Sequence, residues 1–178
     1  FAQARPVSNL YLETRFDYNQ EYLEGHTVDD NSGFKGRYLN IRMDGYLSDH
    51  LSYSFRHRLN KPIKSSSLFD ATDWITISYK TSTWELSAGK QVVGIGGYEY
   101  DGAPIDLYFC SEFWHNIACY QFGISGAYTT VSGKDKITAQ FCESPFDGFA
   151  YNLMWNGSHD FYSSIWSVNM LEYSPGKY

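Results

Sequence analysis

Residues 10–19 read Leu10-Tyr11-Leu12-Glu13-Thr14-Arg15-Phe16-Asp17-Tyr18-Asn19, and this stretch decides the fold. Leu10, Leu12, Thr14, Phe16 and Tyr18 fall on one parity; Tyr11, Glu13, Arg15, Asp17 and Asn19 fall on the other. A period of two belongs to a β-strand, whose successive side chains point to opposite faces, and not to a helix of period 3.6. The pattern predicts a first strand over Leu10 to Tyr22.

Working outward, the alternation recurs. Leu39, Ile41, Met43 and Leu47 stand against Tyr38, Asn40, Arg42 and Asp44, and Leu51, Tyr53, Phe55 and Leu59 against Ser52, Ser54, Arg56 and Arg58, with His57 out of place among the apolar residues. Shorter segments follow at Trp74 to Lys80, Trp84 to Gln91, Tyr120 to Thr129, Lys136 to Glu143, Phe149 to Asn156 and Ile165 to Tyr173. About nine strands result, with no long helix. The connections alternate in length: long at 23–33, tight at 48–50, long at 60–72, tight at 81–82, longest at 92–118, short at 131–134 and medium at 144–148. Asn156-Gly157-Ser158 reads as a hairpin turn. Short turns at one end and long loops at the other describe an antiparallel meander of the bacterial barrel kind.

Composition narrows the partners. Aromatic residues make up 19% of the 178 residues, and the net charge of -6 gives no general attraction to nucleic acid. No run approaches the roughly 18 apolar residues of a membrane helix, so a chain that crosses a bilayer here crosses it as strands. Phe1-Ala2-Gln3-Ala4 carries the small-x-small pattern left by signal-peptide removal, so residues 1–8 are expected to be a leader remnant or periplasmic start, and 9–178 the barrel. Cys110, Cys119 and Cys142 lack the spacing of a zinc site. Cys110 and Cys119 flank a short segment that a disulfide could close, the alternative being two free thiols.

Alternation alone serves two architectures. In a secreted, aromatic-rich β-sandwich that binds glycans, the apolar parity packs inward; in a transmembrane barrel it faces lipid and the polar parity lines water. Three features favour the barrel. Aromatic residues sit near strand ends on the apolar parity (Tyr18, Tyr22, Tyr79, Trp84, Trp155, Trp166), loops sort by length, and the apolar parity is nearly free of charge at strand centres. The expected pore lining is Arg15, Arg42, Arg56 and Arg58 with Glu13, Asp17, Asp44 and Glu85 as counter-charges.

The longest connection contains Lys90-Gln91, then Gly96-Gly97-Tyr98-Glu99-Tyr100-Asp101 and Ala103-Pro104-Ile105-Asp106. This stretch resembles the third-loop region of the phosphate-selective porin O and P family. The resemblance implies an all-β transmembrane barrel of 16 or more strands, often a homotrimer, passing small anions or other small solutes through the outer membrane of a Gram-negative bacterium. Tyr98, Glu99, Tyr100, Asp101, Pro104 and Asp106 would shape the constriction. Ser174-Pro175-Gly176-Lys177 is turn chemistry, so a remaining barrel segment is expected to complete the sheet.

No catalytic constellation emerges. His26, His50, His57, His115 and His159 have no motif to place them, Ser163-Ser164 and Ser65-Ser66-Ser67 lack a nucleophile elbow, and Gly94-x-Gly96 is not followed by Gly-Lys-Ser/Thr. Glu99, Asp101, Asp106 and Glu112 are the residues a calcium ion would take, though their spacing matches no calcium loop. The reading is a channel, not an enzyme, with no cofactor and with outer-membrane lipid as its surroundings. A small complete barrel with an adhesive or structural role is the third possibility.

Overall fold

The structure is a computed structural model that describes residues 9–29, 32–61, 67–101, 107 and 110–178. It contains a nine-stranded antiparallel meander, each strand pairing with the next in sequence. The strands are β1 (Asn9–Asn19), β4 (Gly33–Tyr46), β5 (Leu51–Arg58), β6 (Thr72–Lys80), β7 (Trp84–Val92), β8 (Tyr120–Thr129), β9 (Asp135–Glu143), β10 (Phe149–His159) and β11 (Tyr162–Met170). A separate two-stranded hairpin, β2 (Tyr22–Leu23) with β3 (His26–Thr27), occupies the first long connection. Among the described residues β1 and β11 are the open edges of the sheet. No helix among them is long and apolar enough to cross a membrane.

The tight turns share one end. Ser48 Oγ accepts the Leu51 amide at 3.1 Å between β4 and β5, and Thr81 Oγ1 accepts the Trp84 amide at 3.0 Å between β6 and β7. Between β8 and β9, Gly133 N–H donates to Thr130 O at 2.8 Å. These side-chain and backbone bonds replace ladder bonds that the reversing chain gives up.

Several boundaries differ from the sequence expectation, among them the last strand, which runs Tyr162–Met170 and not to Tyr173. Tyr22 leaves the first strand for the β2–β3 hairpin, and β4 begins at Gly33, five residues before Tyr38. Asn156-Gly157-Ser158 is not a turn: it lies inside β10, where Gly157 pairs with Asp135 and Ser164, and the chain reverses at 160–161. Gly157 is there for space, because a Cβ would stand 2.5 Å from the Trp155 ring that lies over it.

The sheet is inside out by the standard of a soluble protein. Leu12, Phe16 and Val168 are 67%, 76% and 75% exposed, while Asn40 and Arg56 are 0% and 2% exposed. Asp17, Asp73, Gln91, Gln140 and Asn152 are buried on the same polar side. Leaving one Leu or Phe in water forfeits roughly 1.5–3 kcal/mol. The exposed set also includes Leu10, Leu86, Ile124 and Leu153, so the forfeit approaches the whole ~5–15 kcal/mol stability of an ordinary domain. Hydrocarbon around this face removes that penalty. Among the described residues the other sheet is the two-stranded β2–β3 hairpin, and the apolar side stays exposed. That side instead carries an open trough of about 1030 Å³ along Ile77, Leu86, Ile124, Phe141 and Leu153. Rings gather near the tight-turn end, with Trp84 and Tyr128 centroids 5.0 Å apart, where the interface belt of a barrel lies.

Candidate functional site

The polar face is built around Arg56. Its guanidinium stands 2.8 Å from Glu13 on β1 and 3.4 Å from Asp73 on β6, and Arg58 reaches Asp73 at 2.7 Å. The two Arg56 contacts are ion pairs off hydrogen-bond alignment, so Arg56 Nε and Asp73 Oδ2 gain Coulomb energy without a hydrogen bond. Trp74 lies under the cation with its centroid 5.1 Å from the guanidinium carbon. Asn40 donates to Glu13 at 3.4 Å and links the cluster to β4.

Two further clusters flank it. Arg15 grips Asp17 with two bonds of 2.8 and 3.0 Å, and Arg37 adds a contact of 3.3 Å. Arg42 pairs with Asp44 at 3.0 Å and sits over both Tyr11 and Trp74, while Ser54 accepts from Trp74 Nε1 and donates to Asp44. Nearer the tight turns Lys136 pairs with Glu85 at 3.2 Å. All eight residues expected to line a pore thus lie on one face. In these pairs six cations meet five carboxylates.

Arg37 and Asp73 were missed by the sequence reading, for a shared reason. Counting by twos puts each on the apolar parity. The β1–β4 register slips between Arg15 and Phe16, so that Tyr38 and Gly36 find partners and Arg37 does not; the β5–β6 register slips between Arg56 and His57, skipping Asp73. A bulge inserts one residue and swings it to the other face. The slip at Arg56 also accounts for His57, which bonds Thr72 Oγ1 at 3.0 Å.

The long connection turns back over this polar face. Gln140 on β9 accepts the Gly94 amide at 2.8 Å and donates to Val92 O at 2.8 Å; Asn169 on β11 donates to Gly94 O at 2.8 Å, and Ser167 accepts from Gly96. Val93 and Ile95 pack with Cys142 and Ala150, and Tyr100 rests against them. Farther along, Leu107 O accepts from Arg15 Nη1 at 2.8 Å. The connection is therefore held at β9–β11 and again at β1. It carries α1 (Tyr98–Asp101) and α2 (Glu112–Asn116). Tyr98 is exposed, Tyr100 is half-buried, and Glu99 is engaged by the Ser111 amide and hydroxyl. Pro104 and Asp106 lie outside the described residues. Among the described residues no group of three His, Cys, Asp or Glu could hold a metal ion. Cys110 and Cys119 are free thiols, and burial pushes both up, holding them protonated.

Beyond β11, Glu172 ties the last described segment to the β9–β10 turn. Its carboxylate accepts Gly148 N–H at 3.0 Å and Gly176 N–H at 2.5 Å. The Ser144 hydroxyl, followed by the Gly176 amide, holds its carboxyl below the ordinary 4.5. A folded value below the unfolded one contributes stability that is complete above 4.5 and lost as pH falls through the folded value. The Gly148 and Gly176 amide resonances should therefore shift together with one midpoint below 4.5. In Glu172→Gln that common step should vanish; two independent midpoints in the parent protein would refute the clasp.

The family model for phosphate-selective porin O and P matches residues 9–152. No curated protein and no solved structure matches the chain. The chain belongs to the phosphate-selective porin O and P family: it is an outer-membrane porin of the Gram-negative kind, a channel protein by family.

Proposed function

We propose that this porin contributes the wall of a water-filled pore through which small hydrated solutes diffuse passively, with a weak preference for anions. One observation carries the reading: the polar face holds four groups of ion pairs, while the opposite face is apolar and exposed. The exposed members of these pairs, Arg37, Arg42 and Arg58, are hydrated and, being paired, trap no permeating ion tightly, as a diffusion pore requires. In the wall the excess of one cation over the carboxylates supports the anion preference, and Glu99, Asp101, Asp106 and Glu112 of the long connection oppose it and keep it weak. Residues 92–118 act as the constriction, supported by the Arg15 bond to Leu107 O, which carries the loop across to β1. A remaining barrel segment pairs with the edges at β1 and β11 to complete a barrel of 16 or more strands, and the barrel assembles as a homotrimer.

The lining residues differ in what their replacement reports. Arg37, Arg42 and Arg58 are 47%, 40% and 30% exposed, so they meet permeating ions; Arg56 at 2% does not. In planar bilayers under a salt gradient, Arg37→Glu, Arg42→Glu and Arg58→Glu together should move the reversal potential toward cation selectivity and leave stepwise conductance intact. An unchanged reversal potential would remove these residues from the lining. A silent bilayer with a detergent-free soluble protein would favour the glycan-binding alternative.

A further inference from the structure

We propose that the polar wall carries a binding site for neutral saccharides at Asn9, Tyr11, Arg42 and Asp44; the site rests on the reading of that wall as the lining of a pore. The four residues form one patch of two paired strands. Asn9 stands opposite Asp44, and Tyr11 opposite Arg42, in the β1–β4 register. All four share the polar parity. A strand added at the β1 edge lies beside this patch in the plane of the sheet, so it leaves the water-facing side open.

Tyr11 is the feature that asks for a ligand. The row across the sheet at its level runs Tyr11, Arg42, Arg56, Trp74. Trp74 is covered by both guanidiniums and half-buried, whereas Tyr11 keeps 46% of its surface exposed on the face that holds the charges. Arg42 stands 5.4 Å from the Tyr11 centroid and steadies the ring. Beside it Arg42 and Asp44 pair at 3.0 Å while remaining 40% and 24% exposed. The Ser54 hydroxyl donates to Asp44 at 2.7 Å and accepts from Trp74 Nε1 at 2.7 Å, which fixes the carboxylate from β5. A carboxylate has about four acceptor positions, and Ser54 and Arg42 leave some of them free.

Charge selects the ligand class. An anion drawn to Arg42 meets Asp44, and a cation drawn to Asp44 meets Arg42. A neutral polyol uses both, because its neighbouring hydroxyls accept from the guanidinium and donate to the carboxylate. The C–H face of a pyranose ring then covers Tyr11, and the exposed Asn9 amide offers a further donor and acceptor.

Titration calorimetry on the full-length refolded barrel, in a detergent without a sugar headgroup, tests the site with maltotriose as probe and trigalacturonate as charged control. Maltotriose should bind saturably and more tightly than trigalacturonate. Tyr11→Ala should weaken maltotriose about tenfold, and Tyr11→Phe should not, because the ring carries the contact. Asp44→Asn should also weaken it about tenfold and should strengthen trigalacturonate, since Arg42 is then uncompensated. The heat-modifiable band on gels checks that each variant is folded. No saturable maltotriose binding by the parent protein, parent-like affinity in Tyr11→Ala, or tighter binding of trigalacturonate by the parent would each overturn the proposal. Stepwise conductance of the same preparation separates the two readings. A barrel that conducts and binds no maltotriose loses the site alone; one that binds it through Tyr11 and passes no current loses the pore.

Discussion

Arg56→Ala is expected to lower the stability of the refolded barrel by roughly 3–5 kcal/mol, the range for removing one partner of a buried ion pair. The residue is 2% exposed, and its two carboxylate neighbours, Glu13 and Asp73, are 22% and 5% exposed. Truncation leaves Asp73 to Arg58 alone and Glu13 to the amide of Asn40, in a space where water has little access. The loss arises from uncompensated carboxylates, so removing their charge should reverse most of it. Arg56→Met combined with Glu13→Gln and Asp73→Asn should recover most of the deficit, read as the urea midpoint of the heat-modifiable band on gels. Arg42→Ala is the contrast. Its side chain is 40% exposed, and its loss should cost no more than about 1 kcal/mol. Arg56→Ala unfolding within 1 kcal/mol of the parent protein would show that water reaches the cluster and that its ion pairs are those of an open surface.

Most of the sheet was legible because period two is a local property. Leu10 to Asn19 alternates with only Tyr11 and Thr14 out of type, and each of the other eight strands carries a recognisable fragment of the pattern. What the pattern omits is any change of phase. Arg37 and Asp73 were unreadable because a bulge is set by how two strands meet, and neither strand alone reports it. Gly157 misled for a related reason. Asn-Gly is a turn signal when it stands between two strands, but here the same dipeptide makes room for the Trp155 ring within one strand. Burial of the polar parity was open too, because alternation fits lipid outside or a second sheet equally well.

Gly123→Ala and Gly89→Ala should each prevent refolding or cost roughly 3–5 kcal/mol, as large as the loss at Arg56 but through backbone rather than charge. A Cβ at Gly123 would lie 2.3 Å from Phe141 O and 2.7 Å from Cys142 Cα. At Gly89, with φ of +123°, it would lie 2.1 Å from Ile75 O. These obstacles are backbone atoms of neighbouring strands, which cannot rotate away as a side-chain tip can. The two glycines face each other across the β7–β8 ladder, and Gly123 also pairs with Cys142 on β9. Four adjacent strands, β6 to β9, therefore meet at one level, with β6 close to β7 at Gly89 and β9 close to β8 at Gly123, where glycine lets a sheet bend sharply. Gly126, three residues along β8, supplies the control: a Cβ there meets only Leu86 Cδ2, at 3.4 Å. Gly126→Ala should refold like the parent protein, and replacing a strand glycine should even favour the extended backbone slightly. If all three variants refolded equally well in a gel-shift assay, the close approaches of β6 to β7 and of β8 to β9 would have to be relaxed in the barrel, and the bend would need another origin. If only Gly126→Ala refolds, the glycine pair sets the local bend of the sheet at β6 to β9.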